Sequence, residues 1–247
     1  MNPWLATLAA VLVVSAVPLV GLLTLGRDHR RLETVLHHLA GVAAGALLGA
    51  AFMQLLPAAL LQRGVVSSVF LSLVAAFVGF FFLDKFLWRH GYRVGANPPP
   101  RLLAMLNLFG DGLHNLMIGM VIAAAFASEP TVGLAAAIAV TLHEVPQELG
   151  DSAVLVGAGV SVRRAVWLNF LSGSVAVVGA MVTLAIGERV EGFTTALLPI
   201  AAGSLLYIAA SDLVPELQRE RTATGALSQV ALMILGVALV SLPELMR

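Results

Sequence analysis

The chain has 247 residues, 59% of them hydrophobic and only 11% charged, with 14 basic against 14 acidic residues and no cysteine. A soluble domain carries about 25% charged residues, so too few polar groups remain to cover a water-facing surface and most of the exterior must face lipid. Zero net charge gives no footing to nucleic-acid binding. The missing cysteines exclude disulfides and thiolate metal sites, which leaves His, carboxylate, amide and water as metal donors.

A membrane span needs roughly 20 mostly apolar residues. In chain order such runs predict helices at 4–25, 36–61, 65–88, 102–126, 131–156, 164–187, 193–217 and 226–245. The first run is too long for a secretory signal and has no positive charge before it. The connections are short, the longest running from Arg89 to Arg101 with the proline run Pro98-Pro99-Pro100. The expectation is an all-α integral membrane protein, a single transmembrane domain over 1–247 with eight helices and no separate soluble domain.

Lys and Arg set the orientation. Numbering the gaps alternately, one side holds Arg27, Arg30, Arg31, Lys85, Arg89, Arg93, Arg101, Arg163, Arg164, Arg219 and Arg221; the other holds Arg63, Arg189 and Arg247. Eleven against three predicts a multi-pass cell-membrane protein with both termini outside the cytoplasm. An internal repeat adds to this plan. Residues 43–58 (AAGALLGAAFMQLLPA) align without gaps on 201–216 (AAGSLLYIAASDLVPE), with 8 of 16 positions identical, including Gly45/Gly203 and Pro57/Pro215. By the charge count the second and seventh spans run in opposite directions, as in transporters built from inverted repeats.

Ionisable groups inside spans are costly and are functional candidates. His29, His37, His38 and His90 fall at or near span ends, whereas His114 and His143 lie well inside the fourth and fifth spans. Asp111 precedes His114 and Asn115 by three and four residues, so the three share one helical face. In the fifth span His143, Gln147 and Asp151 are spaced by four, as are Glu144 and Glu148, giving two adjacent polar stripes. Pro146 should free the Leu142 carbonyl to point toward them. Imidazole with carboxylate and amide oxygens suits divalent zinc, iron, manganese or cobalt. The plainer alternative, polar groups that only glue helices together, fits one histidine better than this many groups on neighbouring spans. His143-Glu144-x-x-Gln147 approaches the HExxH of zinc peptidases, but Gln is a weak zinc ligand and Pro146 interrupts the helix, so proteolysis is disfavoured.

At these residues the chain resembles the LIV-1-like branch of the ZIP (Zrt/Irt-like) metal transporters over nearly its whole length. His114-Asn115-Leu116-Met117-Ile118-Gly119 is similar to the family's HNxxDG. His143-Glu144-Val145-Pro146-Gln147-Glu148-Leu149-Gly150-Asp151 is similar to its HExPHE followed by GD. FFLDKFLWRH (81–90), NFLS (169–172) and LYIAASDLVPEL (206–217) are further similar stretches.

The resemblance implies eight helices in a 3+2+3 arrangement, with helices 1–3 and 6–8 as the inverted repeat. It implies movement of a divalent transition metal, zinc before iron, manganese or cadmium, toward the cytoplasm, with one helix bundle sliding against the other. Such a protein is not an enzyme and uses no organic cofactor; the metal is its substrate. By position the ligands are His114, Asn115, His143, Glu144 and Gln147. Asp111, Glu148, Asp151, Ser211, Asp212 and Gln54 stand around them or along the path. The expected partners are the metal ion and the lipid bilayer, with a homodimer as an assembly state. Two departures are plain: the motif's acidic residue is Ile118 here, and its second histidine of the fifth span is Gln147. An alkyl group cannot bridge two ions, which argues for a single-metal site. The alternative function is a ZIP-fold metal-binding membrane protein with weak or regulatory activity.

Overall fold

The computed structural model describes residues 2–24, 29–92 and 100–245, which are helical almost throughout and contain no strand. The elements in order are α1 (Pro3–Ser15), a 3-10 turn (Val17–Val20), α2 (Gly21–Thr24), α3 (His29–Gly49), a π-helical segment (Ala50–Leu55), α4 (Leu56–Arg63), α5 (Ser67–Tyr92), α6 (Pro100–Ser128) and α7 (Pro130–Gly157). There follow α8 (Val162–Gly173), α9 (Val175–Gly187), α10 (Phe193–Ile208), a second π segment (Ala209–Leu213), α11 (Val214–Leu217) and α12 (Ala223–Leu245). Each run read from the sequence is helical. The loop portion 93–99 and the side chains of Arg27, Arg30, Arg31, Arg89 and Arg101 in the charge count lie outside the described residues, as do those of His29 and His90.

Six stretches are long and apolar enough to cross a membrane: Pro3–Val20, Val35–Arg63, Ala104–Ser128, Val162–Gly187, Phe193–Leu217 and Ala223–Leu242. Two more of the expected spans differ in character. α5 has an apolar stretch at Ser67–Leu83. The 28-residue α7 is long enough but carries His143, Glu144, Glu148 and Asp151 in its second half. The outer surface is apolar, with Leu71, Phe82, Leu227 and Ile234 each more than 60% exposed. Such a face is at home in hydrocarbon and not in water.

The helix breaks have local causes. Pro18 lacks a backbone N–H, and the first run tightens into the 3-10 turn around it instead of continuing as one α-helix. Each π segment lies just before a proline, Pro57 or Pro215, and its closing bonds run five residues back, from Leu56 N–H to Ala51 O and from Val214 N–H to Ala209 O. A proline removes one rung of the α ladder and crowds the carbonyl four residues before it, and a π bulge absorbs both effects. Residues 51–55 and 209–213 occupy matching positions in the 43–58/201–216 repeat, so the same backbone irregularity recurs where the sequence recurs.

Packing is carried by small residues. The buried core is rich in alanine, with Ala43, Ala44, Ala46, Ala50 and Ala51 of the second run and Ala123, Ala124 and Ala125 of α6 fully buried. A Cβ added at Gly45 would run into the Met233 carbonyl of α12, and one at Gly236 into the Val42 carbonyl of α3. Likewise Gly119 of α6 abuts the Ala176 carbonyl of α9, and Gly179 of α9 abuts the Leu116 carbonyl. Lipid gives helices no hydrophobic reason to associate, so close backbone approach over small residues supplies the cohesion.

Candidate metal site

α6 and α7 are joined through Glu129 alone and pack side by side as an antiparallel pair. Pro130 starts α7 at a position where the missing N–H costs nothing. His114 and His143 each fall near the middle of their helix, and antiparallel packing sets the two midpoints level. The rings meet edge to face with centroids 5.6 Å apart. Glu144 Oε1 is 3.5 Å from His114 Nε2 and 4.0 Å from His143 Nε2. One donor atom from each of His114, His143 and Glu144 can be chosen with all three within 4.8 Å, a grouping able to hold a metal ion.

These side chains are not otherwise satisfied. His143 and Glu144 are 1% and 0% exposed, yet both imidazole nitrogens of His143, both Glu144 oxygens, His114 Nε2 and Gln147 Oε1 have no hydrogen-bond partner within the chain. Buried polar groups are nearly always paired, and each exception asks for an explanation. Here the exceptions converge on one point.

The other expected residues fall in three places. Asn115 is fully buried; its Nδ2 donates to Asp111 Oδ1 at 2.9 Å and to the Asp111 carbonyl at 3.2 Å, leaving Oδ1 of Asn115 unpaired. Asp111, Glu148 and Asp151 form a second group whose carboxylate oxygens lie within 4.8 Å of one another. Asp212 sits in the second π segment, within electrostatic reach of His114, and accepts from Ser211 Oγ at 2.6 Å. Gln54 occupies the matching place in the first π segment, where it is buried and donates to the Val240 carbonyl of α12 at 3.5 Å. Ile118 is 2% exposed and belongs to the apolar core, so α6 presents no acid there.

Some of the surrounding residues were not singled out from the sequence. Asn169 of α8 donates to the Glu148 carbonyl at 3.1 Å and to Ser152 Oγ at 3.0 Å, and Ser172 Oγ donates to the Leu108 carbonyl at 3.0 Å. Through these bonds α8 fastens both polar helices. Asn107 lies beside Asp151. It stands four residues before Asp111, and that spacing was the available signal; the partners of Asn169 and Ser172 are tertiary and left no trace in local spacing.

Comparison with known proteins agrees with this geometry. The chain is 39% identical over 143 residues to zinc transporter foi of Drosophila melanogaster, a match covering 57% of this chain and 20% of foi. It is 41% identical over 115 residues to zinc transporter ZIP10 of Mus musculus, covering 47% of this chain and 14% of that protein. It is 42% identical over 125 residues to zinc transporter ZIP4 of Homo sapiens, covering 51% and 19% respectively. The matches thus span a fifth or less of the length of these relatives. A family model described as ZIP zinc transporter matches residues 98–243, a segment that includes both polar helices and more than half of the sequence. The chain belongs to the ZIP zinc transporter family, in its LIV-1-like branch.

Proposed function

We propose that the chain carries divalent transition metal ions across a membrane, zinc foremost, with iron, manganese and cadmium as further substrates. The observation that carries this reading is the convergence of His114, His143 and Glu144, buried and unpaired, at the middle of the two polar helices. His114, Asn115, His143, Glu144 and Gln147 would bind the ion. Two neutral imidazoles and one carboxylate favour a borderline-soft ion such as Zn²⁺, and the unpaired amide oxygens of Asn115 and Gln147 complete the donor set. Burial of these groups without partners is costly, and a bound cation offsets that cost. Ser211, Asp212 and Gln54 would line the path.

The architecture we propose is eight membrane helices in a 3+2+3 order with an inverted repeat, one bundle sliding against the other, and both termini outside the cytoplasm. Metal would move toward the cytoplasm. The π segments at matching repeat positions support two related halves, and the eleven-to-three basic split supports the orientation. Single cysteines introduced at Ser68 and Ser161 test the orientation, since the chain has none of its own. An impermeant thiol reagent should label position 68 on intact cells and spare position 161; the reverse pattern inverts the topology.

The functional test is uptake of Zn²⁺, Fe²⁺, Mn²⁺ and Cd²⁺ into proteoliposomes, compared for the parent chain and His143→Ala. Saturable uptake that the substitution abolishes is the expected result. A second reading, metal binding with weak or regulatory rather than transport activity, is favoured by Ile118, which puts an alkyl group where the family motif has an acid. Tight binding without uptake would support it.

A further inference from the structure

Asp111, Glu148 and Asp151 lie on the side of the histidine site away from the α6–α7 connection. Asp111 is three residues earlier on α6, and Glu148 and Asp151 are five and eight residues later than His143 on the antiparallel α7. One turn of helix, about 5.4 Å, separates the two sets along the helix axes. The three carboxylates bring one oxygen each within 4.8 Å of the others. Glu148 is 1% exposed, and neither of its oxygens has a hydrogen-bond partner; Asp111 is 5% exposed, and its Oδ2 is also unpaired.

The surroundings hold this arrangement open. Asn115 Nδ2 fixes Asp111 Oδ1 and so turns Oδ2 free. Asn169 anchors the backbone of Glu148, and Gly173 leaves room beside the carboxylate: an added Cβ would come within 3.5 Å of Glu148 Oε1. Among the described residues no lysine or arginine pairs with any of the three. Three acids packed together without a basic partner are strongly unfavourable unless positive charge joins them. Their spacing is one that a single cation with oxygen bonds of about 2.0–2.6 Å can span.

We propose that Asp111, Glu148 and Asp151 form a second, oxygen-only site for a divalent cation, one turn from the histidine site, that receives the ion moved on from it. The proposal rests on the transport reading for its role and on the carboxylate cluster for its existence. Oxygen donors alone select harder ions, so Mn²⁺ should favour this site more than Zn²⁺ does. The second site also differs from a bridged pair of ions at the histidines, which Ile118 prevents.

Mn²⁺ is the probe, added alone to the purified full chain in detergent, with bound ions counted by equilibrium dialysis and free Mn²⁺ read by electron paramagnetic resonance. The parent chain should hold two ions. Glu148→Gln/Asp151→Asn should hold one, and Asp111→Asn, on the other helix, should weaken the same ion by about tenfold or more. Both variants should still bind one Zn²⁺, which shows that they are folded. The proposal is overturned by an unchanged Mn²⁺ count in the double variant, which would mean that protons neutralise these carboxylates. It is equally overturned by a single ion in the parent that only His114→Ala/His143→Ala removes. The transport reading fails on a separate result, absence of Zn²⁺ uptake by the parent chain in vesicles.

Discussion

Two kinds of seam hold these helices side by side. Between α3 and α12, and between α6 and α9, glycines let one backbone touch the other, and each contact is reciprocated by a glycine from the opposite helix. Between α6 and α7 the residues are larger and polar, and His143, Glu144 and Glu148 are buried without partners. The dry seams hold the helices together through backbone contact. The polar seam is held in place by its neighbours, α8 and α9 among them, and leaves its own donors free for a ligand. α6 takes part in both kinds, with Gly119 against α9 and His114 toward α7, so one helix carries cohesion on one face and chemistry on another.

The contrast can be broken most severely from the dry side. Gly45→Leu should abolish folding, since the new side chain meets the Met233 carbonyl, which cannot swing aside; overpacking of this kind costs about 3 kcal/mol or more. Gel filtration in detergent should find the variant aggregated, and a monodisperse, fully stable Gly45→Leu would refute the seam. On the polar side His143→Ala and His114→Ala should leave the fold intact while weakening Zn²⁺ by about 100-fold or more, beyond what loss of a group behind a ligand costs. His38→Ala should change nothing. Calorimetry that finds His143→Ala equal to the parent would remove His143 from the site.

Ile118→Asp sharpens the comparison in the other direction by adding a carboxylate four residues after His114, on the same helical face. Zn²⁺ and Cd²⁺ should bind about tenfold more tightly, and the metal-free chain should melt at a lower temperature because the new charge is then buried unpaired. Release would slow, so uptake should fall as affinity rises. An unchanged affinity would mean that this position does not reach the ion. The smallest effect is expected at Thr183 of α9, also buried and without a hydrogen-bond partner for its hydroxyl. Thr183→Val should shift stability by about 1 kcal/mol or less, toward greater stability, with no change in Zn²⁺ binding. A lone unpaired hydroxyl in an apolar setting is a small local cost; only a converging set of such groups marks a ligand. Loss of Zn²⁺ binding in Thr183→Val would undo that distinction.

Much of this was legible because hydrocarbon imposes a simple rule on sequence. Apolar runs gave the helices to within a few residues, and four-residue spacing put His143 and Gln147, or Glu144 and Glu148, on shared stripes of α7. Spacing along one helix could not say which residues of α6 meet which of α7. It grouped Asp111 with His114, whereas the tertiary fold places Asp111 with Glu148 and Asp151, and Glu144 with the two histidines. That sorting depends on the antiparallel register of the pair, fixed by the length of the Glu129 link. The breaks at the two π segments were likewise not legible. Pro57 and Pro215 announce a disturbance, but a kink, a 3-10 turn and a bulge are all ways to accommodate a proline, and Pro18 shows the second of these.

The bulges also fix a phase. Each π segment holds one residue more than an α-helix would use over the same rise, so removing a single residue from Ala50–Leu55 would restore a plain helix and rotate everything after it by roughly 100°. Gly45 would keep its place against Met233, but Gln62 would turn away from Ser128 Oγ and Thr195 Oγ1, which it now joins at 2.5 and 2.8 Å. Excising one residue from Ala209–Leu213 would, by the same turn, re-aim Glu216 and Leu217 while leaving Gly203 seated against Leu73. Single-residue deletions in these two windows should therefore be read as rotations of half a helix, and the two halves can be dialled independently by choosing the window.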